Sequence, residues 1–124
     1  MKATAEIKGR RSNNNWVHGI VTVDDGSKFD FEAKVYDEPS QFGIETNRFP
    51  SGGNISKLGV SYAGDRYSPQ VLTYDRGWDY EYGEAPEDSP IGQEKAEAII
   101  AAIADELEKI VDGNTTWAKR YDSM

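Results

Sequence analysis

Flat rings and basic or amide groups recur together along this chain: Trp16, then Phe42 and Arg48, then Asn54, Ser56 and Lys57, then Arg66, and finally Arg76, Trp78 and Tyr82. Rings of this kind stack on bases, guanidinium and ammonium groups neutralise phosphates, and amide and hydroxyl groups hydrogen-bond to what remains. The chemistry they offer is binding of a small, flat anion. The densest stretch is 71–82, Val-Leu-Thr-Tyr-Asp-Arg-Gly-Trp-Asp-Tyr-Glu-Tyr. As one extended strand it places Leu72, Tyr74, Arg76, Trp78, Tyr80 and Tyr82 on one face and Asp75, Asp79 and Glu81 on the other. Packing under a helix or against a second subunit is the simpler use of such an aromatic ladder. Arg76 in its middle argues for a ligand instead, because a core seldom takes an unpaired arginine.

No equivalent case exists for catalysis. His18 is the only histidine, there is no cysteine, and no Gly-x-Ser-x-Gly elbow occurs. Walker and dinucleotide fingerprints are absent as well. Pairs such as Asp24-Asp25, Asp37-Glu38 and Glu87-Asp88 carry little signal in a chain with 22 acidic residues. Ser51-Gly52-Gly53-Asn54 has the composition of a phosphate cradle, but reads first as a plain loop. The expectation is a protein that is not an enzyme and needs no cofactor.

A net charge of -8, from 14 basic and 22 acidic residues, argues against binding duplex DNA, whose affinity comes from clustered Lys and Arg. A small anion can still be held where basic groups gather locally. Without cysteine there is neither a disulfide framework nor a thiolate metal site. No apolar run reaches membrane-spanning length, and Met-Lys-Ala-Thr-Ala-Glu lacks the apolar core of a signal peptide. A cytoplasmic protein that does not bind membranes is expected.

The elements that must position these residues follow from alternation and turn chemistry. Strands are expected over 3–9, 16–23, 28–35, 55–62 and 71–82, with Asp24-Asp25-Gly26 as a hairpin turn and a long loop over 36–54. In 28–35, Phe29, Phe31, Ala33 and Val35 share one side and the charged residues the other. In 55–62, Leu58, Val60 and Tyr62 are expected opposite Ile55, Lys57 and Ser61. Ser89 as cap and Pro90 at the first position start a helix over 89–112 with an apolar stripe of Ala96, Ile99, Ile100, Ile103, Leu107, Ile110 and Val111, which Gly113 ends. Glu94, Glu97, Asp105, Glu108 and Asp112 form its solvated face, and a short tail, 114–124, follows. The whole is a single α+β domain, 1–124: an antiparallel sheet of about five or six strands packed on one C-terminal helix. One helix covers one sheet face. Aromatics left uncovered on the other would bring copies together as a homo-oligomer.

Three words, Lys34-Val35-Tyr36-Asp37-Glu38-Pro39-Ser40-Gln41-Phe42-Gly43-Ile44, Ile55-Ser56-Lys57-Leu58 and Tyr74-Asp75-Arg76-Gly77-Trp78-Asp79, resemble in order those of a family of small phage and prophage proteins without assigned function. This chain departs from that pattern at Asn54, where an arginine is usual, and in a longer loop at 45–53. The layout of a sheet followed by a long helix, with an aromatic and arginine surface, is also similar to the Thoeris anti-defence sponge proteins of phages. That resemblance implies a homo-oligomer, up to a hexamer, in the cytoplasm of a bacterial host. It implies a protein that sequesters a cyclic ADP-ribose signal, or in some members a cyclic oligonucleotide, without cleaving it. The rival readings are an acidic anti-CRISPR-like protein that blocks a nucleic-acid-binding defence protein, and an enzyme that cleaves the same nucleotide.

Overall fold

The computed structural model describes residues 1–10, 15–36, 38–46, 50–64 and 69–113, with the backbone alone at residues 10 and 109–113. Strands β1 (Ala3–Arg10), β2 (Trp16–Val23), β3 (Lys28–Val35), β4 (Ile55–Tyr62) and β5 (Leu72–Asp75) are followed by helix α1 (Gln93–Gly113). The strands form one sheet in the order β1-β2-β3-β4-β5, every neighbouring pair antiparallel. This is the expected α+β meander on a C-terminal helix.

Alternation decides which side is dry. Val17, Val21 and Val23 on β2, Phe29, Phe31, Ala33 and Val35 on β3, Leu58 and Val60 on β4 and Leu72 and Tyr74 on β5 are all buried. From α1, Ala96, Ile99, Ile103, Ala104 and Leu107 pack into the same cluster. The helix lies against β1 and β2, and Ile44 from the 36–54 segment also joins the core. Gly19 gives up its side chain here because a methyl group at that position would collide with the Glu6 carbonyl and the Phe31 ring.

Four expectations are corrected. Ile55 belongs to the buried face, not to the side of Lys57 and Ser61, because the β3–β4 register shifts between Lys34 and Val35 and turns Ile55 inward. The strand expected over 71–82 stops at Asp75. Arg76 takes a left-handed φ of 60°, and the Asp75 N–H donates to the Gly77 carbonyl, so the chain reverses and no aromatic ladder exists. The helix begins at Gln93 rather than Ser89: Ser89 donates its hydroxyl to the Val71 carbonyl at 2.7 Å and heads a turn closed by the Gly92 N–H. The first helical bond, from the Ala96 N–H to the Gly92 carbonyl, makes Gly92 the cap. Finally, Glu108 is buried rather than solvated, its carboxylate accepting from the Thr46 hydroxyl at 2.9 Å. The tail at 114–124 lies outside the described residues, as do the side chains of Ile110, Val111 and Asp112.

The uncovered face of the sheet is polar. Glu6, His18, Thr22, Lys28 and Glu32 are exposed on it, with Trp16 and Ile20 as its partly buried apolar members. The aromatic ladder that motivated a face-to-face assembly does not lie here, and Trp16 is the one Trp, Tyr or Phe that the described strand residues place on this face. Burial gives no reason for two such faces to stack.

Candidate functional site

Strand register assembles one group of the expected binding residues. Trp16 on β2 stands opposite Lys34 on β3, Lys34 opposite Lys57 on β4, and Lys57 opposite Asp75 on β5. Side chains directly across an antiparallel ladder share a face and lie about 5 Å apart. An indole and two ammonium groups thus form a row across the open face of the sheet. At its far end the Arg76 N–H donates to the Ser56 carbonyl at 3.1 Å, which fixes an exposed guanidinium-bearing residue beside the row. Ser56 in turn donates its hydroxyl to the Lys34 carbonyl at 3.4 Å.

Charges within this row are only partly spent. Lys57 Nζ is 3.8 Å from Asp75 Oδ1, with both groups open to water. Lys34 Nζ sits 5.6 Å from the centroid of the exposed Tyr36 ring, a cation–π contact that leaves its ammonium hydrogens available. Two rings, Trp16 and Tyr36, therefore flank two cations. The arrangement can stack a flat group and pair with an anion, and it contains no nucleophile–base pair.

Asn54 works from below. Its Nδ2 donates to the Tyr36 carbonyl at 2.8 Å and its own carbonyl accepts from the Tyr36 N–H, so it clamps the exit of β3 to the entry of β4. With 3% of its surface exposed it cannot touch a ligand on the open face. The structure corrects Asn54 from ligand contact to scaffold. Ser51-Gly52-Gly53-Asn54 offers no open phosphate cradle either, because Gly52 and Gly53 are buried against Ser40, Gln41 and Ile44.

The remaining expected residues are elsewhere. Trp78 lies on the helix side, its ring 4.9 Å from that of Tyr74 in an edge-on contact, and packs against the core. Phe42 is exposed on the same side, where its carbonyl accepts from the buried Tyr74 hydroxyl at 2.9 Å. Burial and the nearby Glu45 carboxylate push the Tyr74 phenol above its usual range. Tyr82 is 73% exposed beyond the turn that Asp79 holds by accepting the Tyr82 N–H. Of these residues Trp78 lines a shallow concavity beside α1 of about 1260 Å³, together with Tyr74, Tyr80 and Ile100 and the acidic Glu45, Glu87, Glu97 and Asp105. So acidic a wall repels phosphate. Phe42 and Trp78, which meet Tyr74 on the helix side, are separated from Trp16, Ser56, Lys57 and Arg76, and Arg48 and Arg66 lie outside the described residues.

Lys34 and Tyr36 are the members that sequence reasoning missed. Alternation assigns Lys34 to the wet side of its strand, but only the register with β2 and β4 puts it between Trp16 and Lys57. Among the described residues no group of three or more His, Asp or Glu could hold a metal ion. No helix among them is long and apolar enough to cross a membrane.

The family model of a domain of unknown function, DUF7678, matches residues 15–108, more than half of the chain. The chain belongs to the DUF7678 family. The matched span opens just before Trp16 and closes at Glu108, and so takes in β2 to β5, the whole basic and aromatic row, and most of α1. No curated protein and no solved structure matches.

Proposed function

We propose that this protein binds a small, ring-bearing anion of the cyclic nucleotide class on the open face of its sheet and sequesters it without breaking a bond. One observation supports the reading above others: the cross-strand row of Trp16, Lys34 and Lys57, with Tyr36 and Arg76 at its margins, gathers rings and cations in a chain whose net charge is -8. Local field, not net charge, governs the capture of a small anion. Trp16 and Tyr36 are the stacking surfaces, and Lys34, Lys57 and Arg76 the phosphate partners. Combined with the resemblance to Thoeris anti-defence proteins, this makes the ligand a cyclic ADP-ribose isomer or a cyclic oligonucleotide. The protein is then a phage sponge in the cytoplasm of its host.

A second reading rests on the acidic wall beside α1. Glu45, Glu87, Glu97 and Asp105 with the exposed Tyr80 form a surface suited to a basic protein, as a blocker of a nucleic-acid-binding defence factor would need.

Titration calorimetry with cyclic ADP-ribose isomers, beside a melting curve for each variant, tests the first reading. Base–aromatic stacking is worth about 1–3 kcal/mol per ring, so Trp16→Ala weakens binding by about 5- to 150-fold in a chain that remains folded. Arg76→Ala and Lys57→Ala weaken it as well, whereas Trp78→Ala lowers the melting temperature. Ligand released from the denatured complex is intact. Undiminished binding in folded Trp16→Ala and Lys57→Ala would sink the site, cleaved ligand would make the protein an enzyme, and failure of the wild type to bind any isomer would leave the blocker reading.

A further inference from the structure

The two edges of the sheet are finished differently. At β5 the chain doubles back over its own outer edge: the Thr73 N–H donates to the Glu84 carbonyl, the Asp79 N–H to the Thr73 carbonyl, and Tyr74 bridges to Trp78. That edge is sealed. At β1 no described residue pairs with the outer edge, although the strand is eight residues long and contains no proline. The direction of its backbone groups follows from one bond, the Asp24 N–H donating to the Lys2 carbonyl. Lys2 thus turns toward β2, and by alternation so do Thr4 and Glu6, while Ala3, Ala5 and Ile7 present their N–H and C=O groups outward. Natural sheets cover or blunt an edge of this kind, because it is a template for another strand. Among the described residues the edge is blunted by the exposed charges of Lys2, Glu6 and Lys8 and by the register shift between Ile7 and Gly9, at the far end of the open stretch.

We propose that this edge pairs with the same edge of a second copy, antiparallel about a two-fold axis at Ile7, joining two five-stranded sheets into one. Charge and apolar contact together select the register. An axis at Ala5 sets Lys2 opposite Lys8 of the second copy, and an axis at Glu6 sets two carboxylates face to face. An axis at Thr4 also opposes unlike charges, Lys2 and Glu6, but sets Ile7 opposite Met1; with the axis at Ile7, Glu6 of each copy stands opposite Lys8 of the other and the two Ile7 side chains meet as well. Within one copy Lys8 Nζ already lies 3.0 Å from Glu6 Oε1, so both groups are on one face and the four charges of the pair close into a network. Ile7, partly buried against the core, then meets its own symmetry mate, and its outward N–H and C=O find partners. The ladder is short, cut off by the bulge. The surface is the same on both copies, as a two-fold contact requires, and it does not depend on the ligand reading.

Sedimentation of the full chain over a wide concentration range tests this, with circular dichroism to verify that each variant is folded. Wild type sediments as a dimer of the 13.8 kDa chain at high concentration. Glu6→Lys and Lys8→Glu, both at exposed positions, each raise the dimer dissociation constant at least about tenfold, since each puts like charges across the axis. Mixed in equal amounts the two variants associate again, one of each, because every cross-strand contact between them is of opposite sign. That recovery cannot come from the Glu6–Lys8 pair inside one copy, which both variants lack. A monomeric wild type at every concentration overturns the proposal. So do single variants that dimerise as wild type does, and a mixture that stays monomeric.

Discussion

The helix side and the open side of this sheet are made by the same strands, one residue out of phase, and they are held by different physics. On the helix side Phe29, Leu72, Ile99 and Ile103 are each about fully buried, and burying such a side chain stabilises by roughly 1.5–3 kcal/mol. On the open side Lys57 and Asp75 meet at a distance and exposure where an ion pair contributes little. A small domain with one helix can dry only one face, so the face left wet can change its residues without endangering the fold. Stability and the proposed ligand site are thereby separated across a thickness of one strand.

The sharpest way to break that separation is to compare truncations on the two sides. Ile103→Ala, in the core, lowers the free energy of unfolding in urea by about 2–5 kcal/mol, whereas Trp16→Ala on the open side changes it by less than about 1 kcal/mol. Equal losses would mean that the open face is structural after all. Trp78→Ala sharpens the assignment of the split residues: with its edge-on contact to Tyr74 and partial burial, its loss costs about 1–3 kcal/mol and leaves affinity for a nucleotide unchanged.

Arg76→Gly moves stability and binding in opposite directions. A non-glycine residue at a φ of 60° bears a penalty of about 1–2 kcal/mol, so the glycine variant unfolds at higher urea concentration, while its nucleotide affinity falls with the loss of the guanidinium. A parallel loss of both would show that Arg76 holds the turn rather than the ligand.

The smallest effect concerns the clamp between the β2–β3 turn and the helix. Lys95 Nζ lies 2.6 Å from Asp25 Oδ2 and also donates to the Ser27 hydroxyl. Lys95 and the Ser27 hydroxyl and N–H hold the Asp25 carboxyl well below its ordinary value of 3.8. A carboxyl depressed in the folded state stabilises above its unfolded pKa and loses that contribution as the pH falls through and below it. Asp25→Asn is therefore slightly less stable than wild type at pH 7, and the gap closes in acid below about pH 4. A gap independent of pH would remove the clamp.

Most of the fold was legible because β2, β3 and β4 obey strict alternation and α1 carries an unbroken apolar stripe. Misreadings arose where a period of two continued by accident through a turn. Tyr74, Arg76, Trp78 and Tyr80 alternate in the sequence, but Arg76 and Gly83 take a positive φ and Asp79 accepts the Tyr82 N–H, so the chain reverses and hydrogen-bonds locally. Ser89-Pro90 has the composition of a helix start and is used as a tight turn one step earlier. The candidate site was half legible. Residue types pointed to Trp16, Lys57 and Arg76, yet nothing local says which strand neighbours which, so Lys34 and Tyr36 came from pairing alone. Asn54 shows the converse: an amide in a loop looks like a ligand contact until its burial is known.

The strand order has one further consequence, for the way the chain is made. Each strand pairs with the one synthesised just before it, so the sheet can grow by short-range steps, which are kinetically cheap. The helix is the exception. It is the last of the described elements to emerge, and it packs on β1 and β2, the first two of them. Until residues 93–107 are complete, the valines and phenylalanines of an otherwise finished sheet have no cover. A chain halted before the helix would carry a ready aggregation surface, and one helix completed late converts it in a single step into a closed domain.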